Sequence, residues 1–191
     1  AFSPDGTVLA SCSDDRTIKL WDVESRQSIK NIAGHTDYIT FVVFTPDGDR
    51  IVSCSDDETI MIRDARTFEC VAALLEHSGQ VTSVNISSDG DMIVSGSADK
   101  TIKIWDAQSY ECIDTLEGHF GNVMCVKFSP DGSTIASGSW DNTVKIWQRE
   151  TGVCVCVCLC VCVCVCVCVF VCVCVCLCVC LCVCVCVCVC V

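Results

Sequence analysis

Charge is missing from the last fifth of this sequence: every Asp, Glu, Lys and Arg lies before residue 152 of 191. The net charge of −12 therefore belongs entirely to the preceding stretch. Basic clusters are also lacking. A surface this acidic disfavours nucleic acid and anionic membrane as partners, because binding phosphate needs grouped Lys and Arg. No segment carries apolar residues at a 3.6-residue period, so the expected fold class is all-β. Cysteine is scarce wherever charge is present: of 23, only Cys12, Cys54, Cys70, Cys112 and Cys125 precede residue 153. These five form no C-x-x-C pair and no even framework. They read as small apolar residues of a reducing compartment, so an intracellular location, cytoplasmic or nuclear, is expected. A G-x-S-x-G elbow is absent as well, which removes one common setting for a nucleophilic serine.

What is present is a repeat. A histidine, a serine, an aspartate and a tryptophan recur in fixed order as His77, Ser95, Asp99 and Trp105, then as His119, Ser137, Asp141 and Trp147. One unit earlier stand His35, Ser53 and Asp57, with Arg63 in the tryptophan place. Before them come Ser11, Asp15 and Trp21. Positions 21, 63, 105 and 147 keep a step of 42 residues, as do Phe2, Phe44, Ile86 and Phe128. Such register without insertions marks one structural unit copied along the chain.

Each unit holds four short β runs; in the second they fall at about residues 38–44, 50–54, 59–63 and 67–74. The first two are joined by Thr45-Pro46-Asp47-Gly48, a turn repeated at Ser3-Pro4-Asp5-Gly6 and Ser129-Pro130-Asp131-Gly132. Ser87-Ser88-Asp89-Gly90 is the version without proline. Proline presets such a turn and glycine accepts its positive φ. Four strands every 40–45 residues or so, with Gly34-His35, Gly118-His119, Trp21-Asp22 and Trp105-Asp106 as marks, resemble the WD-repeat β-propeller family. Glu76-His77, Arg63-Asp64 and Trp147-Gln148 depart from that pattern.

The resemblance implies a partial β-propeller of four-stranded antiparallel blades, about three and a half of them, over residues 1–152. The repeats fall at approximately 1–22, 34–64, 76–106 and 118–148, plus outer strands. A ring needs more blades, and the sequence opens within a unit at Ala1-Phe2, so the protein is expected to extend further in at least one direction.

Serine, histidine and aspartate together could suggest a hydrolase. A catalytic site, however, occupies one asymmetric pocket, whereas this set is stamped once per unit. The resemblance implies instead a structural chain inside each blade, from the indole N–H to serine, histidine and aspartate. Arg63 cannot replace an indole, so the second blade should hold the weakest network. Asp14-Asp15 and Asp56-Asp57 look like calcium pairs, but one member of each belongs to the recurring set. No metal, no cofactor and no enzymatic activity are expected.

WD-repeat propellers are, by resemblance, platforms for other proteins, and their exposed loops lie before each recurring aspartate and after each histidine. Here those loops offer Asp14, Asp56, Ala98 and Trp140, and Asp37, Tyr38, Gln80, Phe120 and Asn122. Trp140 is the leading candidate anchor, since an indole at a loop tip is a frequent interface residue. A non-catalytic scaffold is the first expected function. A regulatory propeller within a larger, multidomain and even enzymatic protein is the second, and a membrane-anchored propeller the third.

From residue 153 to 191 valine and cysteine alternate, interrupted by Leu159, Phe170, Leu177 and Leu181. This run is long enough to span a bilayer, and its thiols could take soft metals. A third origin accounts for more of it. A GT dinucleotide run read in triplets encodes Val-Cys without a stop, and each Leu or Phe is one base away. The expected reading is translated microsatellite, with Gly152 or its near neighbours last of the genuine residues. If the segment is made, extended strand is the expected conformation and a long helix the alternative. A spliced transcript sequenced across codon 152 should leave the GT run; a transcript carrying the whole run in frame would overturn that origin.

Overall fold

The computed structural model describes residues 1–159. They contain no helix and fold into fifteen strands in four antiparallel sheets. The first sheet holds β1 (Val8–Cys12), β2 (Thr17–Asp22) and β3 (Ser28–Ala33). The second holds β4 (Ile39–Phe44), β5 (Arg50–Ser55), β6 (Ile60–Asp64) and β7 (Cys70–Leu74). The third runs β8 (Val81–Ile86), β9 (Met92–Ser97), β10 (Ile102–Asp106) and β11 (Cys112–Leu116). The fourth has β12 (Val123–Phe128), β13 (Thr134–Ser139), β14 (Thr143–Gln148) and β15 (Cys154–Leu159). Every sheet is a meander in sequence order. Three complete blades and a three-stranded one match the expected partial propeller.

The turns follow from their residues. Gly48, Gly90 and Gly132 close the first-to-second-strand turn, and Gly6 the equivalent turn ahead of β1, at φ between 70° and 82°. The preceding aspartate stiffens it: Asp47 accepts from the Thr45 hydroxyl and the Asp49 amide. The fourth run of the second unit starts later than expected, at Cys70. The residues before it are captured by Asp64, whose carboxylate accepts the Arg66 and Thr67 amides, and Phe68 takes φ 65°.

Sheets pack face to face through alternate side chains. One face of the second sheet, Val52, Cys54, Ile60 and Ile62, meets Val81, Val84, Ile86, Ile93 and Trp105 of the third. Burial at this seam pushes the Cys54 thiol up to about 12. Val94, Ile102 and Ile104 of the third sheet meet Val123, Val126, Phe128, Ile135 and Trp147 of the fourth in the same way. One-residue bulges lie in the inner strands near Thr40 and Thr82. These threonines turn toward the next sheet and donate to the carbonyls of Val81 and Val123, respectively. A bulge redirects a side chain in this manner. Each outer strand also bulges, near Ile29, Val71, Ile113 and Val155, all exposed.

The fourth sheet draws its outer strand from the valine-cysteine alternation, and β15 continues the ladder through Lys145↔Val157. Residues 160–191 lie outside the described residues, and with them most of the expectations for that tract. Among the described residues no helix is long and apolar enough to cross a membrane.

The far face of the fourth sheet differs from its counterparts. A Cβ added to Gly96 would meet Val123 at 2.7 Å, whereas one added to the equivalent Gly138 meets nothing within 4 Å. Ile104 is buried, and Ile146, its equivalent, is only half-buried. Ile104→Ala should therefore cost about 2–5 kcal/mol and Ile146→Ala about 1 kcal/mol, because less apolar surface leaves water there. Urea unfolding of both variants checks this; equal losses would contradict it.

Candidate functional site

The recurring polar residues converge inside each sheet. In the third, Trp105 Nε1 donates to Ser95 Oγ at 2.8 Å, Ser95 Oγ lies 2.7 Å from His77 Nε2, and His77 Nδ1 lies 2.7 Å from Asp99 Oδ2. The fourth repeats this with Trp147, Ser137, His119 and Asp141 at 2.8, 2.7 and 2.8 Å. The aspartate can only accept, so Nδ1 carries the proton, the serine hydroxyl donates to Nε2, and the indole N–H completes the chain. The indoles also stand edge-on to the imidazoles, at 6.1 and 5.9 Å between centroids.

Each aspartate is the hub. Asp99 Oδ1 accepts the Thr101 amide and hydroxyl at 2.9 and 2.7 Å, and Oδ2 accepts the Ser78 amide as well as the imidazole. Its own amide donates to Ser97 Oγ, whose hydroxyl donates to the Gly79 carbonyl. Burial acts to raise the Asp99 carboxyl, but the donors from His77 and Thr101 outweigh it and hold it well below the ordinary range. Asp57 and Asp141 are lowered by the same balance.

These threonines and serines were not singled out from the sequence. The signal was there: Ser55, Asp57 and Thr59, then Ser97, Asp99 and Thr101, then Ser139, Asp141 and Thr143 recur in step.

The other two sheets show what happens when a member is missing. In the second, His35 keeps Ser53 and Asp57, both at 2.9 Å. Arg63 is buried but turns away from Ser53, donating to the carbonyls of Ala33 at 3.0 Å and Phe68 at 3.3 Å. Its Nε has no partner. The guanidinium occupies the space over Gly34 that the Trp147 ring occupies over Gly118: a Cβ added at these positions would meet Arg63 at 1.9 Å and Trp147 at 3.3 Å. Burial lowers the His35 imidazole, and the Arg63 charge adds to this against the pull of Asp57. In the first sheet Trp21 still donates to Ser11 at 2.9 Å, while Asp15, without a histidine, binds Thr17 and Lys19 in the open.

As chemistry, the arrangement is closed. Ser53, Ser95 and Ser137 are buried, and so are their histidines. In the third and fourth sheets the serine oxygen is also already held by an indole. These hydroxyls are buried and hydrogen-bonded, which leaves no open path for a substrate carbonyl. Among the described residues no cluster of His, Cys, Asp or Glu could hold a metal ion.

The loop residues lie elsewhere, at one end of the sheets. Asp14 occupies the β1–β2 turn and Asp56, Ala98 and Trp140 the equivalent turns, between second and third strands, of the other sheets; the Asp56, Ala98 and Trp140 amides donate to the carbonyls of Tyr38, Gln80 and Asn122. Trp140 is 62% exposed, Phe120 85% and Tyr38 49%. Asp14 and Gln80 are exposed too, while Asp56 and Asn122 are half-buried.

Comparison with known proteins gives a consistent picture. The family described as "WD domain, G-beta repeat" matches residues 1–22, 26–64, 68–106 and 110–148. Each of the last three matches spans the outer strand of one sheet and the three inner strands of the next. A "Lissencephaly-1 homolog" of Caenorhabditis briggsae is 53% identical over 38 residues, 20% of this chain and 10% of that protein. The "General transcriptional corepressor TUP1" of Saccharomyces cerevisiae is 47% identical over 34 residues, 18% of this chain and 5% of that protein. A "Probable serine/threonine-protein kinase PkwA" of Thermomonospora curvata is 46% identical over 39 residues, 20% of this chain and 5% of that protein. The matched segments thus span a tenth or less of these relatives' own length.

Asp99→Ala should lower the unfolding free energy at neutral pH by about 1–3 kcal/mol, by stranding the buried imidazole. A carboxyl whose folded pKa is depressed stabilises the fold above its unfolded value, 3.8, and loses that contribution as pH falls through the folded value. The gap between parent and variant should therefore narrow below about pH 4. Denaturant titrations at pH 7 and pH 3 check this, and a gap that widens in acid would refute it.

Proposed function

Because the chain belongs to the WD-domain, G-beta-repeat family, we propose that it is a non-catalytic scaffold that assembles other proteins on one end of its sheets. The supporting observation is the exposure of Trp140 and Phe120 on loops whose backbones are locked by the network beneath them. Large aromatics held rigidly in water lose little conformational freedom on binding and supply most of an interface's energy. The proposed binding face comprises Trp140, Phe120, Tyr38, Asp14, Asp56, Gln80 and Asn122. Its partners are other proteins, and nucleic acid is disfavoured by the charge of −12. The proposed location is intracellular, cytoplasmic or nuclear.

A second reading makes this a regulatory propeller within a larger protein. It is supported by the likeness to a short part of a probable serine/threonine kinase. Membrane anchorage would rest on residues outside the described part.

A pull-down from a native lysate with parent and Trp140→Ala protein tests the face. The variant should recover at least tenfold less of any specific partner, the loss typical of a central anchor. Equal recovery would remove Trp140 from the interface.

A further inference from the structure

The end of the sheets that carries Trp140 is not uniform. The loop after each histidine and the turn before each aspartate are stitched together in the second, third and fourth sheets, but their side chains differ. The fourth sheet offers Phe120 and Trp140, where the third has Ser78 and Ala98 and the second has Thr36 and Asp56. Gly121 brings the two aromatic positions close: a Cβ there would stand 2.9 Å from the Trp140 carbonyl carbon and 2.7 Å from the Asp141 amide.

Two sheets away the same end is acidic. The turn of the first sheet is tied to the second by the Ile39 amide on the Ser13 carbonyl. Asp14, Asp37 and Asp56 meet there, and burial followed by the charges of Asp37, Asp14 and Asp57 pushes the Asp56 carboxyl up. Glu58 adds a further negative charge on the same end. Among the cations of these loops, Arg16 donates to the Thr36 carbonyl, and Lys100 stands alone beside Asp99. Lys19 is spent on Asp15.

We propose that this end binds an extended, cationic peptide segment of another protein. One Lys or Arg side chain of the segment would lie on the Phe120–Trp140 pair, and a second would reach Asp14, Asp37 and Asp56. The inference rests on the scaffold reading and adds the chemistry of the partner.

Charge complementarity selects the occupant. A guanidinium or ammonium gains on an exposed indole face through its quadrupole. An acidic segment would meet repulsion from the aspartates, and a purely apolar one would leave them unused. The geometry is compatible with one strand of chain. Packed sheets stand ~10 Å apart, so two steps cover ~20 Å, the reach of about six extended residues.

The test uses the full chain under reducing conditions and three fluorescein-labelled nine-residue peptides, alternating Ser with Arg, with Gln or with Glu, read by anisotropy. The Arg peptide should bind, the Glu peptide should not, and binding should weaken with added salt. Trp140→Ala, which leaves the charge unchanged, should weaken the Arg peptide about tenfold. Asp56→Asn should weaken it about threefold. Glu24→Gln/Glu150→Gln, at the opposite end of the sheets, should leave it unchanged. Binding that ignores Trp140→Ala, or falls equally in the Glu24/Glu150 variant, is unspecific attraction and overturns the proposal. A Gln or Glu peptide binding as well as the Arg peptide, and losing affinity with Trp140→Ala, would keep the scaffold reading and overturn the cationic partner. Absence of binding by all three also overturns the cationic partner, while the pull-down decides the scaffold reading separately.

Discussion

A buried carboxylate is the constraint on which this structure turns. Asp57, Asp99 and Asp141 each sit beneath a loop where an unpaired charge would be costly, and each collects donors from a histidine, a threonine and two backbone amides. Those donors come from the loop before the first strand and from the entry to the third strand, while the carboxylate itself sits in the turn between the second and the third. Satisfying one carboxylate therefore fixes the relative position of all three. A thin sheet has little interior with which to set its own register, and a closed polar network supplies what apolar packing leaves open.

The sheets are held to one another differently. Apolar side chains alternate into the seams, and bulged Thr40 and Thr82 add a hydrogen bond across each. Polar groups thus specify the inside of a sheet, while burial of Val, Ile and Trp supplies the attraction between sheets. The division explains why the loops above the network are good platforms. Their backbones are tied to Asp99 or Asp141 from below, so their side chains can vary from Ser78 to Phe120, or from Ala98 to Trp140, with no change of frame.

Much of this was legible in the amino-acid sequence. The 42-residue step, the Asp-Gly turns and the alternation of apolar residues were enough for an all-β repeat, and the spaced His, Ser, Asp and Trp pointed to a network. Harder to see was the share taken by Ser97 and Thr101. Hydroxyl residues are common in turns, and only the hydrogen bonds distinguish a hub's partner from a bystander. Arg63 was visible as a break in the pattern, but where its guanidinium goes depends on carbonyls thirty residues away, at Ala33. The cross-seam role of Thr40 was hidden because a bulge belongs to the pairing of two strands and not to either alone. Nor does the sequence show that Lys103 lies mostly covered and donates to Thr115 on the neighbouring strand.

Each of the last three matched repeats begins on the outer strand of one sheet and finishes three strands into the next. The repeat as the family describes it is thus staggered against the sheet that folds. Duplicating one such unit adds a strand to a finished blade and most of a blade beyond it, so newly gained length arrives already dovetailed into its neighbour. Excising one whole copy is the reverse operation, with the outer strand of the following copy closing the sheet left open. An array built this way gains or loses whole members without breaking the register of those that remain.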